Sequence, residues 1–184
     1  MNKCKCGNKI ANYYAKQCEK CYIKSIKVKK IKTKCLLCNK SIYDYSFYKR
    51  KFCCLSHSYT YRLKLNFLNT TKILSKLNDK IFLSWLTAFW EGEGSLSVSY
   101  KKRRYNFNIT QKNYQIIKYI KNKLKIGRIY KHTANGCYSF IINDNGTILA
   151  LLYKIKKYFR INRRKKQINK YLNSRRIKEL LRYV

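Results

Sequence analysis

The chain has 184 residues, with 44 Lys and Arg against 7 Asp and Glu, 9 Cys, 2 His and no Pro. Its formal net charge of +37 repels itself and calls for an acidic partner; nucleic acid comes first, because each cation docked on phosphate releases a counterion, and an anionic membrane surface second. No run of about 18 apolar residues exists, which excludes a spanning helix, and residues 1–10 lack the apolar stretch of a secretory signal, so export is not expected.

Eight of the nine cysteines precede residue 55, and only Cys137 lies beyond. They fall into two groups: Cys4-x-Cys6 with Cys18-x-x-Cys21, then Cys35-x-x-Cys38 with Cys53, Cys54 and His57. Two cysteines a few residues apart can bend round one ion, and a second such pair completes a tetrahedron. Cys4, Cys6, Cys18 and Cys21 read as one zinc site, with Gly7 suiting the tight backbone of a knuckle. Cys35, Cys38 and His57 read as a second, closed by Cys53 or Cys54. Spacing does not choose between the two, and Cys53 is the preferred candidate. Such closed sites are structural, and they answer a local need: neither 1–32 nor 33–66 has enough apolar residues to fold without a staple. Unpaired thiols in this pattern belong in a reducing, intracellular compartment. The abundance of Lys, Asn, Ile, Tyr and Phe, all read from AT-rich codons, points to a phage, virus or organelle genome. It inflates Lys without explaining the scarcity of acids.

From 67 to 184 the pattern changes to longer elements, and the 46% hydrophobic content suffices for a core. Asp79–Glu91 has helical spacing, apolar on several sides, with Asn78 or Asp79 as cap and Gly92 and Gly94 at its end. Ser95–Tyr100 and Tyr105–Thr110 alternate polar and apolar, which predicts two strands joined by the basic turn 101–104. Tyr114–Leu124 is helical by its Ile116, Ile117, Ile120 and Leu124. Ile126–His132 and Cys137–Asn143 form a second hairpin across Asn135-Gly136. Thr147–Phe159 is a further amphipathic helix, and Lys165–Leu181 a last basic helical stretch. His132 reads as a surface loop residue and Cys137 as a small core residue. The order predicts an α+β fold: one antiparallel sheet with helices over one face and a free polar face bearing Ser95, Ser97, Ser99, Asn106, Asn108 and Thr110. Which alternating set of the second hairpin shares that face is open.

Two of the seven acids, Glu91 and Glu93, sit at the C-terminal end of the first of these helices. That end carries the negative pole of the macrodipole, so carboxylates there need a cation. At about 100° per residue they point nearly opposite ways, which implies different jobs. The plainest alternative is a solvated pair neutralised by the nearby lysines.

Leu86-Thr87-Ala88-Phe89-Trp90-Glu91-Gly92-Glu93-Gly94 resembles the signature of the LAGLIDADG homing endonucleases, with Glu for Asp at both acidic positions, Ala88 for the usual Gly and Gly92 for Ala. The αββαββα order over roughly the last hundred residues matches the same family. The resemblance implies a site-specific endonuclease acting on double-stranded DNA with Mg²⁺, and no membrane partner. Family members are mobile, often intron-encoded, and zinc modules commonly accompany them. It implies that two such helices pack side by side through small residues, here Ala88 and Gly92, and that Glu93 binds the metal while Glu91 holds the helix end. It places Gln111, in Phe107-Asn108-Ile109-Thr110-Gln111-Lys112, beside the attacking water. It also implies a basic residue just before the last helix, for which Lys165 is favoured over Arg164. One motif per chain implies a homodimer and a target of approximate two-fold symmetry. The polar strand face would then enter the major groove, where Asn106 and Asn108 suit adenine and Arg128 guanine. An RNA-binding intron maturase on the same fold is the runner-up, and a non-cutting zinc-dependent DNA-binding regulator the third reading. The pair of acids with Gln111 argues against the regulator and does not separate the maturase.

Overall fold

A computed structural model of the chain describes residues 3–9, 18, 20–22, 30–45, 50–99 and 104–184. The chain divides into two compact units, Met1–Ser58 and Tyr59–Val184. In the first, strands β1 (Lys30–Lys34) and β2 (Ser41–Tyr45) pair antiparallel, with Lys34 opposite Ser41. Cys35–Lys40 make the turn: the Cys35 amide donates to Lys40 O at 2.9 Å and the Asn39 amide to Cys35 O at 2.9 Å. Asn39 adopts a φ of 58° there, which asparagine tolerates better than most residues with a Cβ. Gly7 plays the same part in the first cysteine group, with a φ of 86° and its amide donating to Cys4 O at 2.8 Å.

Helix α1 (Leu55–Ser75) has no counterpart in the expected elements, and residues 66–67 lie within it. Its inward positions are Thr60, Leu63, Phe67, Thr70 and Leu74, a 3-4-3-4 spacing that fills one stripe. Two of the five are threonines, so the stripe is continuous in space yet broken in the hydrophobic pattern. Then follow α2 (Lys80–Glu93), β3 (Gly94–Ser99), β4 (Arg104–Gln111), α3 (Tyr114–Leu124), β5 (Arg128–His132), β6 (Cys137–Ile142) and α4 (Asn145–Ile155). The expected αββαββα order is present. The strands form one antiparallel sheet in the order β3-β4-β6-β5. The Ser99 side chain, residue 100 of the expected strand and residues 101–103 of the expected turn lie outside the described residues, and residue 104 begins β4.

Short polar side chains start α2, α3 and α4. Asp79 accepts from the Phe82 amide, Asn113 from Gln115 and Asp144 from Thr147, each at 2.9 Å. The Asp144 cap starts α4 at Asn145, two residues before the expected Thr147. Strand β5 begins at Arg128 and not at Ile126, because Lys125 (φ 57°) and Gly127 (φ 74°) turn the chain out of α3. One face of the sheet, with Leu96, Phe107, Ile109, Phe140 and Ile142, is buried against the helices, whose Leu86, Trp90, Ile117, Ile120, Leu149 and Leu152 complete the core. At Gly146 the backbones of α1 and α4 meet: a Cβ there would run into Leu63 O and lie 2.9 Å from Phe67 N. No larger residue fits without parting the two helices.

The expected single helix over 165–181 is two, α5 (Asn162–Leu172) and α6 (Arg175–Leu181). Asn173 and Ser174 separate them, residues that favour caps over helix interiors. The tail is not only a basic surface, since Ile168, Tyr171, Ile177 and Leu180 are buried. Among the described residues no helix is long and apolar enough to cross a membrane.

Candidate active site at the end of helix α2

Helix α2 continues through Gly92 to Glu93, and Gly94 caps it in an extended conformation. A Cβ on Gly94 would collide with the Trp90 indole. That ring is fully buried, stacked on Phe107 at 5.1 Å and met edge-on by Phe159 at 5.6 Å. The helix end is therefore seated on a fixed ring, and the only residue that clears it follows the two acids.

Glu91 and Glu93 have the different surroundings that helical geometry predicts. Glu91 is buried, and its Oε1 accepts from the backbone amides of Arg160 at 2.9 Å and Ile161 at 2.7 Å, the residues leading into α5. A carboxylate at a helix N-terminus satisfies orphan donors and meets the positive pole. Arg164 returns the favour from α5: its Nε donates to Glu91 O at 3.0 Å and its Nη2 to Gly94 O at 2.7 Å, while Nη1 meets Gln167 Oε1 at 3.1 Å. Its guanidinium lies 4.9 Å over the Trp90 ring. Gln167 in turn donates to Leu96 O at 2.9 Å. The two helix ends thus clasp each other through opposite charges. Burial, with the neighbouring Arg163 charge, lowers the Arg164 pKa from its ordinary value, and Glu91 opposes that.

This corrects the expectation for Arg164 as a catalytic cation. Its donors are committed to the Glu91 and Gly94 carbonyls and the Gln167 side chain, and it is only 9% exposed, so it positions the end of α2. Arg164→Met should lower the unfolding free energy by about 3 kcal/mol or more, since buried acceptors lose charged donors. Arg164→Lys should recover little of it, a point charge being unable to span both carbonyls. Denaturant unfolding of the two variants measures the difference. Lys165 beside it is exposed and has no partner among the described residues.

Glu93 is exposed, and its carboxylate makes no hydrogen bond or ion pair among the described residues. The β3–β4 register pairs Gly94 with Ile109. One step further along that ladder brings the end of α2 beside Thr110 and Gln111, the last residue of β4. Glu93 and Gln111 therefore lie at the same end of the β3–β4 pair.

Residues 86–174 match the model of the family described as LAGLIDADG endonuclease. That segment is a LAGLIDADG domain.

Three solved structures show the range of likeness. An archaeal intron-encoded homing endonuclease, I-Vdi141I, complexed with DNA, is 23% identical over 58% of this chain and 86% of its own, with a TM-score of 0.44. The homing endonuclease I-CvuI in complex with I-CreI target DNA is 20% identical over 57% of this chain and 76% of its own, with a TM-score of 0.44. The LAGLIDADG meganuclease I-CpaMI bound to uncleaved DNA is 19% identical over 48% of this chain and 35% of its own, with a TM-score of 0.43. No curated protein matches the chain.

The outer face of the LAGLIDADG domain's sheet is polar. Ser95 and Ser97 are exposed on β3, and Asn106, Asn108 and Thr110 are half-buried on β4. Register decides what sequence alone leaves open. Asn108 pairs with Ser95 and Ile141, and Ile141 with Arg128, so Arg128, Tyr130 and His132 share the face of Asn108. His132 ends strand β5 and is no loop residue; its Nε2 lies 2.8 Å from Ser139 Oγ. Cys137, opposite His132, is half-buried on this polar face and not in the core. Ser139 and Tyr130 were legible only as strand residues, because the alternation does not say which parity faces outward.

Outside the domain, the two cysteine groups are assembled. Sγ atoms of Cys4, Cys6, Cys18 and Cys21 lie within 4.8 Å of one another, as do the ligand atoms of Cys35, Cys38, Cys53 and His57. Cys54 is exposed and stands outside the second group. Cys6 and Cys18 Sγ are 3.3 Å apart, Cys38 and Cys53 Sγ 3.8 Å, and His57 Nδ1 is 3.0 Å from Cys53 Sγ. Tetrahedral bonds of about 2.3 Å would set sulfurs roughly 3.8 Å apart, so both donor sets fit a tetrahedral ion. Their charges ask for one. The amide of Cys6, then that of Cys18, holds the Cys4 thiol down to about 6, while hydrogen bonds from Cys6, Cys4 and Cys18 push Cys21 up to about 12. Four thiolates cannot ionise together without a cation.

Proposed function

We propose that this chain is a site-specific, metal-dependent DNA endonuclease of the homing type, working as a homodimer on double-stranded DNA. The observation that carries the reading is Glu93: a solvent-facing carboxylate without a partner among the described residues, at the negative end of a helix, in a chain with 44 cations to 7 acids. A carboxylate serving only stability would be paired, as Glu91 is. Left free beside a basic surface, it suits a divalent cation of the Mg²⁺ type, which takes one or two carboxylates and fills its shell with phosphate oxygens and water.

One carboxylate holds such an ion poorly, which favours a second copy. Ile81, Trp85, Ala88 and Gly92 form an exposed stripe along α2, and a Cβ on Gly92 would meet nothing. Small residues at 88 and 92 allow a second α2 to approach and bring its own Glu93 alongside. A divalent ion there would lower the pKa of a water and stabilise the leaving oxygen of the phosphodiester. Gln111 would orient the attacking water through its amide, and Lys165 would neutralise charge on the scissile phosphate. Glu91 and Arg164 keep the end of α2 rigid. The polar sheet face, with Ser95, Ser97, Asn106, Asn108 and Arg128, would lie in the major groove. Cys4, Cys6, Cys18 and Cys21 would hold one structural zinc, and Cys35, Cys38, Cys53 and His57 another, in basic modules that add hold on DNA.

The test is cleavage of a randomised duplex library. With Mg²⁺ or Mn²⁺ added, cuts should concentrate at one site of approximate two-fold symmetry, and omission of the added metal should leave the library whole. Binding with no nick in either metal would move the chain to the regulator or maturase reading.

A further inference from the structure

A chain of hydrogen bonds runs across the outer face of the sheet. On β4, Asn108 Nδ2 lies 3.3 Å from Thr110 Oγ1, and Asn108 Oδ1 lies 3.5 Å from the same hydroxyl. Thr110 Oγ1 meets Ser139 Oγ of β6 at 2.7 Å, and Ser139 Oγ meets His132 Nε2 of β5 at 2.8 Å. Ser139 is 1% exposed while His132 faces solvent. Two outward-facing polar groups on different strands are therefore joined through hydroxyls, one of them buried.

A hydroxyl has a single proton, so the links have to agree in direction. When Asn108 Nδ2 donates to Thr110, Thr110 donates to Ser139 and Ser139 donates to an unprotonated His132 Nε2. When His132 Nε2 carries the proton, each link reverses, and Thr110 donates to Asn108 Oδ1. Ser139, shut off from water, has Thr110 and His132 as its hydroxyl's partners among the described residues, and hydrogen-bonded chains of this kind reinforce one direction. Which atom of the Asn108 amide Thr110 engages and which tautomer His132 adopts are two ends of one choice.

We propose that Asn108, Thr110, Ser139 and His132 form a single specificity unit, in which the base read by Asn108 and the group contacted by His132 are selected together. The inference rests on the DNA-binding reading above and names how that surface discriminates. Asn108 is level with Arg128 through Ile141, and His132 stands four residues further along β5. That is roughly 13 Å of strand, several base-pair steps of about 3.4 Å, so the two ends meet different base pairs. Engaging Asn108 through Nδ2 or through Oδ1 leaves a different part of its amide free for the base, which changes the base edge it fits. Thr110 and Ser139 touch no base in this scheme and act as positioning residues.

Selection of binding sites from a randomised duplex library tests it. Asn108→Ala and His132→Ala each identify the base position that depends on that residue. Thr110→Val keeps the shape and removes the hydroxyl. It should lose the preference at both positions, by about 5- to 150-fold at the Asn108 position, where a bidentate contact is available, and retain those lost in Arg128→Ala. Thr110→Ser should keep both, and Ser139→Ala should repeat the valine result if the first variant is poorly folded. Loss confined to the Asn108 position, or no loss, overturns the coupling and leaves the DNA reading standing. A wild-type protein that selects no sequence at all removes both.

Discussion

Glu93→Gln is expected to slow DNA cleavage by about a hundred- to a thousand-fold, the effect of removing one group that stabilises charge in a transition state, with folding and DNA affinity close to wild type. The asymmetry follows from the surroundings of the two acids. Glu93 is exposed and unpartnered among the described residues, so the substitution breaks no contact of the fold. Glu91 is the opposite case: its Oε1 accepts from the amides of Arg160 and Ile161, and Glu91→Ala should show as a lower melting temperature, with cleavage falling only as folding fails. Single-turnover cleavage and thermal melting, run on both variants, separate the roles. Stability loss in Glu93→Gln with undiminished cleavage would exchange them.

Stripping the metal from the cysteine groups is expected to unfold the first unit while the second keeps its structure. Among the described residues of 1–58, the buried apolar side chains are Cys4, Cys18, Cys35 and Ile42; three are proposed ligands and only one is an aliphatic core residue. Such a segment has little to fold around without the ion, and small metal modules commonly behave as unfolded when empty and folded when filled. A strong zinc chelator should make residues before about 58 sensitive to protease and leave the LAGLIDADG domain resistant. Acid should act in the same direction. The thiols of Cys4 and Cys35 sit at about 6 against an ordinary 9.0; for Cys4 the Cys6 and Cys18 amides lower it, and for Cys35 burial works upward but the amides of Cys38, Cys53 and Leu37 outweigh it. Groups depressed in this way contribute stability that is complete above their ordinary pKa and is lost as pH falls through about 6, and a bound ion, which needs the thiolates, moves that loss to lower pH. Metal analysis should give about two ions per chain on the four-ligand rule, and none would remove the modules from this account.

Much of the second unit is visible in its sequence because its elements agree with their local signals. The strands of the first hairpin alternate, α3 has helical spacing at Ile116, Ile117, Ile120 and Leu124, and Asn135-Gly136 marks the second turn. Helix α1 escaped because Thr60 and Thr70 occupy inward positions on a stripe that hydrophobicity alone does not reveal. The break at Asn173–Ser174 was hidden by a basic run of uniform helical character. The division of labour between Glu91 and Glu93 follows from turning 100° per residue, but the partners of Glu91 lie 69 and 70 residues away. The role of Arg164 was unreadable for the same reason: a run of Arg and Lys does not say which member turns inward to the carbonyls of Glu91 and Gly94. The polar face of the second hairpin needed the register across β4, β6 and β5.

The most direct measurement is the cleavage rate of mixed dimers that hold one wild-type chain and one Glu93→Gln chain, purified by two different tags. If the carboxylates of two α2 helices serve one metal site, a single intact Glu93 is not enough, and the mixed dimer should be as slow as the doubly substituted one. A mixed dimer that cuts at half the wild-type rate, or a wild-type monomer that cuts alone, would show that each chain carries a complete site and contradict the pairing.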